Sequence, residues 1–115
     1  MIIYFNPDCS KCKEVLGILD NNACSVEIRN YLQVPPSVEE LKVLVQILGC
    51  KAMDIVRVKE TLFQEQFAHL LMDEDACLLM LSQHPILIER PILIDGQRAL
   101  VGRPVEKVFD FIRVV

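Results

Sequence analysis

The 115-residue chain predicts an α/β fold built on a four-stranded mixed sheet, and three features carry that reading. A β-rich run, an amphipathic helical pattern and a second β-rich run follow one another within about thirty residues, the spacing of a βαβ unit. From Cys50 to Gln83 the apolar residues recur only at helical spacing. Two further β-rich runs then flank a hairpin signal at Asp95-Gly96, and a last helical pattern follows.

In chain order, Ile2, Ile3, Tyr4 and Phe5 supply the β-branched and aromatic side chains of a strand near residues 2–6. Val15, Leu16, Ile18 and Leu19 predict a helix near 10–21, ended by the turn formers Asp20-Asn21-Asn22. Ser25 to Tyr31 reads as the next strand, with a right-handed crossover expected. After Val34-Pro35-Pro36, Ser37 with Glu40 forms a capping-box pattern. The helix it starts has Leu41, Leu44, Val45 and Leu48 on its apolar face and Gly49 at its end. The middle groups Met53, Ile55 and Val56, then Phe63 and Phe67, then Cys77, Leu78, Met80 and Leu81. These predict short helices over one edge of the sheet, with Met72-Asp73-Glu74-Asp75 as the acidic start of the last. His84-Pro85 leads toward a strand at Ile92-Leu93-Ile94, a type I′ turn is expected at Asp95-Gly96, and Arg98 to Val101 pair back antiparallel. Gly102-Arg103-Pro104 opens a terminal helix, with Pro104 in its first turn. The order βαβ, helical insertion, ββα fits a thioredoxin-like fold. One domain over residues 1–115 is expected, with the insertion at about 37–84.

Composition narrows the function classes. An apolar share of 52% with 24% charged residues suits a packed protein. The net charge of -4 argues against direct nucleic-acid binding through bulk electrostatics. No apolar run is long enough to span a bilayer, and the chain begins straight in a strand without a signal-peptide layout. Five cysteines lack the spacing of a secreted disulfide scaffold, so a reducing cytoplasm is the expected setting.

The chemistry is concentrated in Asn6-Pro7-Asp8-Cys9-Ser10-Lys11-Cys12. This segment puts a cysteine pair in the turn between a strand and a helix, where the free N–H groups and the macrodipole favour a thiolate. Cys9 is the expected nucleophile. Its polar surround and the positive charge of Lys11 and Lys13 favour that role. A zinc site would need a second ligand pair, and Cys24, Cys50, Cys77, His69 and His84 offer no such spacing, so no metal is expected. Cys24, Cys50 and Cys77 read as packing residues. Arg57, Arg90 and Arg103 come from three separate segments, two of them before a proline. A lone arginine is ordinarily a solvated charge, whereas three converging on a cysteine would bind an oxyanion bidentately.

The runs YFNPDCSKC, QHPILIERPILIDG and VGRPVEKV resemble the glutaredoxin- and glutathione-coupled arsenate reductase (ArsC-like) family over essentially the whole chain. The resemblance implies reduction of arsenate to arsenite. Cys9 would attack arsenate, glutathione would then attack the arsenic bound to Cys9, and glutaredoxin would clear the mixed disulfide. Arg57, Arg90 and Arg103 match the family's three oxyanion-binding arginines, and Arg90-Pro91 matches a cis-proline position. Glutathione is then a co-substrate, and no tightly bound cofactor is implied. A monomer is the default.

Two departures matter. Phe5 stands where such reductases often carry a histidine that assists the thiolate, and Cys12 stands where they usually lack a cysteine. Cys12 is a possible resolving thiol for Cys9. A CxxC also occurs in the related Spx-type regulators, so the alternative is a redox sensor that uses a Cys9–Cys12 disulfide to control binding to RNA polymerase. A general thiol–disulfide carrier is a third reading, and it leaves the arginines without a purpose.

Overall fold

The computed structural model describes residues 1–113, and the last two residues of the expected domain lie outside them. β1 (Ile2–Tyr4), α1 (Ser10–Asn21) and β2 (Glu27–Arg29) form the opening βαβ unit, with β1 and β2 parallel. β3 (Ile92–Asp95) pairs antiparallel with β1, and β4 (Arg98–Val101) pairs antiparallel with β3. The result is one four-stranded mixed sheet in the order β2-β1-β3-β4, the thioredoxin-like arrangement expected from the sequence. The remaining elements are α2 (Val38–Leu48), α3 (Thr61–Gln66), α4 (Glu74–Gln83) and α5 (Lys107–Arg113). Short 3-10 helices occur at Ala52–Ile55 and Pro85–Leu87.

By its contacts the chain divides into two compact units. One comprises Met1–Val34 with the chain from Arg90 onward, and the other comprises Pro35–Glu89. In the first, Val15 and Leu19 lie one helical turn apart on α1 and share a face. They bury themselves with Ile3 of β1, Leu93 of β3, and Val105 and Val108 near the C-terminal end. Phe5 packs at the edge of this cluster.

In the second unit, the Ser37 capping box forms as expected. Ser37 Oγ accepts from the Glu40 N–H at 3.1 Å, and Glu40 Oε1 accepts from the Ser37 N–H at 3.1 Å. Gly49 ends α2 at φ 71°, a left-handed conformation that costs glycine little. Asp73 caps α4 by accepting from the Ala76 N–H at 2.8 Å. Helix α4 packs against α2 and both 3-10 helices.

Three local expectations need correction. First, Asp95 belongs to β3 and pairs with Arg98, so the hairpin loop is Gly96-Gln97. Gly96 has φ 60° and Gln97 is not at positive φ, which meets the demand of a type II′ turn and not of type I′. Second, α5 begins at Lys107, beyond Pro104. Residues 104–106 form a tight turn instead, with Lys107 N–H donating to Pro104 O and Val108 N–H to Val105 O, both at 3.1 Å. These three-residue spacings precede a true α-helical ladder. Third, the segment read as purely helical contains a strand-like contact, an antiparallel bridge between Val56 and Ile88. Arg57 N–H donates to Leu87 O at 2.7 Å and Glu89 N–H to Ile55 O at 2.8 Å around it. Among the described residues, no helix is long and apolar enough to cross a membrane.

Candidate active site

The turn after β1 is closed by local hydrogen bonds. Asn6 Oδ1 accepts from the Asp8 N–H at 2.9 Å, and the Asn6 carbonyl accepts from the Cys9 N–H at 3.0 Å. Cys9 is then the N-cap of α1, extended at φ -97° and ψ 117°, and Cys12 occupies the third helical position. The Cys9 side chain closes no formal capping hydrogen bond. Its sulfur nonetheless faces the end of the helix where backbone N–H groups have no intrahelical acceptor.

Two arginines of the same unit flank Cys9. Arg103 Nη2 lies 3.6 Å from Cys9 Sγ. Arg103 Nε donates to the Arg90 carbonyl at 2.5 Å, so the two segments that precede prolines are tied together. The Arg90–Pro91 bond is cis, and so is Arg103–Pro104, a feature the sequence did not signal. Gly102 joins the same junction, its N–H donating to Pro91 O at 2.8 Å. A β-carbon on Gly102 would come within 3.2 Å of Pro91 Cγ and 3.4 Å of Val15 Cγ2, so the close approach favours glycine. Arg90 Nε and Nη1 are buried and, among the described residues, have no hydrogen-bond partner. A cleft of about 250 Å³ opens beside Arg103, between Lys11 and Glu14 of α1 and Pro104 to Glu106.

Arg57 belongs to the other compact unit. There its Nη1 donates to the Ile86 carbonyl at 3.2 Å and pairs with Glu60 at 3.1 Å. Lys11, expected to bias Cys9, instead pairs with Glu14 at 3.6 Å in an exposed position. His84 accepts the Leu87 N–H on its carbonyl at 2.9 Å and sets its ring 5.3 Å from that of Phe67. Among the described residues, no group of three or more His, Cys, Asp or Glu side chains could hold a metal.

These surroundings separate the two thiols. Burial opposes ionisation of Cys9 more than any other single influence. The Cys12 backbone N–H, the Arg90 guanidinium and the Cys12 thiol together outweigh it and lower the pKa from 9.0 to about 7. For Cys12, burial is again the largest influence and raises the pKa to about 11. The Asn6 backbone amide opposes the rise, and the neighbouring Cys9 adds to it. The pair therefore holds a thiolate over a protonated thiol near neutral pH. Alkylation of Cys9 by iodoacetamide, followed by peptide mass spectrometry, is expected to rise with pH through a midpoint of about 7. A midpoint near the ordinary 9.0 would mean that burial fully offsets Arg90 and the helix start.

The ArsC family model matches residues 4–111. An arsenate reductase of Neisseria meningitidis serogroup B is 38% identical over 108 residues, covering 92% of both chains. One from Haemophilus influenzae is 37% identical, over 97% of this chain and 98% of its own. The solved structure of an arsenate reductase from Vibrio cholerae superposes with a TM-score of 0.89 at 40% identity, covering 95% of this chain and 94% of the other.

Proposed function

This chain belongs to the ArsC family, and on that premise we propose that it reduces arsenate to arsenite with Cys9 as the nucleophile. The observation that carries the proposal is the Arg103 guanidinium 3.6 Å from Cys9 Sγ, with Arg90 beside the same sulfur. A tetrahedral oxyanion repels a thiolate, and guanidinium donors at the nucleophile offset that repulsion while fixing the anion in place. Arg90 brings two buried donors, Nε and Nη1, that have no hydrogen-bond partner among the described residues. For Arg57, support comes from the sequence resemblance alone.

The chemical step follows from these groups. Cys9 thiolate attacks arsenic, an arsenic–oxygen bond breaks, and that oxygen leaves as water after protonation. Arsenic remains in the +5 state. Its reduction to +3 takes two electrons, which two thiols supply as they become a disulfide. Glutathione and glutaredoxin are the proposed ultimate donors, no tightly bound cofactor is required, and the protein acts as a cytoplasmic monomer. The Spx-type alternative is not favoured, because relatives from Neisseria meningitidis and Haemophilus influenzae that match over nearly the full chain carry the name arsenate reductase.

The test is arsenite production from arsenate by the purified protein with glutathione and glutaredoxin. Arg103→Ala is expected to lower kcat/KM by about 100-fold, the effect of removing one donor from a developing anionic centre. Arg57→Ala in the same assay tests the third arginine. A folded wild-type protein that turns over no arsenate under these conditions would sink the proposal.

A further inference from the structure

We propose that Cys12 is the resolving thiol of this site. It attacks Cys9 Sγ once that sulfur carries arsenic, releases arsenite, and leaves an internal Cys9–Cys12 disulfide. This inference rests on the arsenate-reductase reading and specifies its second half. Cys12 is fully buried, while Cys9 retains 5% exposure, so a soluble electrophile meets Cys9 first. Cys12 lies three residues on, at the start of α1. Cys9 caps the helix that carries Cys12, and the two thiols lie within hydrogen-bonding reach of each other, so a disulfide can close after modest adjustment. The other three cysteines lie elsewhere in the sequence and are not part of this turn.

The step balances. A sulfur–sulfur bond forms between Cys12 and Cys9, and the Cys9 sulfur–arsenic bond breaks. Its electron pair stays on arsenic, which passes from +5 to +3, while the two sulfurs are oxidised together by two electrons. The Cys12 proton goes to an oxygen of the departing arsenite. The site also orders the two steps in time. While Cys9 is a thiolate, its charge helps keep Cys12 protonated and unreactive. Bonding to arsenic removes that charge. Arg90 and the Asn6 amide, which both favour Cys12 ionisation, then act with less opposition. The electrons of glutathione and glutaredoxin are accordingly delivered to the Cys9–Cys12 disulfide and not to an arsenic adduct, and a protein dithiol is the natural reductant of such a pair.

The experiment is a single turnover. Fully reduced protein, freed of all reductant under anaerobic conditions, is mixed with excess arsenate. About one arsenite per chain is expected, with a Cys9–Cys12 disulfide in the peptide map. Cys12→Ser and Cys12→Ala, each shown to be folded by circular dichroism, are expected to release less than about a tenth of that amount and to retain the arsenical adduct on Cys9. Wild type that makes no arsenite alone but turns over steadily with glutathione and glutaredoxin would overturn the role of Cys12 and leave the reductase reading standing. Wild type silent in both conditions would overturn both.

Discussion

Replacing Cys9 by serine is expected to reduce arsenate turnover by about 10⁴-fold or more, since removing a catalytic nucleophile has effects of that order. Serine keeps the shape of the N-cap and is a good capping residue, so the helix start should survive the change. What disappears is the anion. A thiol with a pKa of about 7 is substantially ionised at neutral pH, whereas a serine hydroxyl at the same place is not. The variant also has a stability signature. Cys9 ionises near 7 in the folded chain and near 9.0 when unperturbed, so its ionisation favours folding fully above pH 9. That contribution fades as pH falls through about 7. Between those limits the wild type should gain stability relative to Cys9→Ser as pH rises, measured by denaturant titration. Equal pH profiles for the two would show that Cys9 is not a perturbed thiol, and equal turnover would remove it from the chemistry.

What was legible in the sequence was governed by local rules. The Ser37–Glu40 capping box and the α1 boundaries follow from side chains within one turn of each other. The position of Cys9 at a helix start follows from the same logic. The two strand pairs needed one further rule, that consecutive strands tend to be neighbours, and β1–β2 and β3–β4 obey it, whereas the β1–β3 pairing that completes the sheet order lies outside it. Contacts between distant segments were less legible. Lys11 and Lys13 were the nearest cations in sequence to Cys9, yet Arg90 and Arg103, some eighty or more positions away, flank its sulfur. Their places before prolines marked those two arginines as candidates, but only the resemblance put them at the sulfur, because spacing in a chain carries no information about approach in space. The ties that hold them, Arg103 to the Arg90 carbonyl and Gly102 to the Pro91 carbonyl, are likewise long-range. The hairpin was legible as a hairpin and misread as to type. The Asp95-Gly96 pair suggested where the turn lay, but the strand register made Gly96-Gln97 its centre, and Gln97 carries a β-carbon that disfavours positive φ.

The geometry around Cys9 depends on a core that can be tested separately. Leu93 is fully buried on β3, opposite Ile3 of β1 on one side and Leu100 of β4 on the other. It shares its cluster with Val15 and Leu19, which anchor the helix whose first turn carries Cys9 and Cys12. Leu93 also follows Arg90-Pro91 by two residues, so the strand it fixes sets the position of the Arg90 backbone. Leu93→Ala removes buried methyl groups from both of these supports at once. The expected loss is about 2–5 kcal/mol, transfer and cavity contributions together. In a domain of this size that is a large part of the total stability, and the thermal midpoint should fall by roughly 10 °C or more. Ile28→Ala on β2 is the control, because Ile28 is 51% exposed and its truncation should change stability by no more than about 0.5 kcal/mol. If the two variants lost similar stability, the Ile3–Leu93 cluster would not be the core of this unit. If Leu93→Ala were as unstable as expected while Cys9 kept its alkylation midpoint in the folded fraction, the perturbed thiol would be set by the helix start and the arginines. It would then not depend on tight packing beneath them.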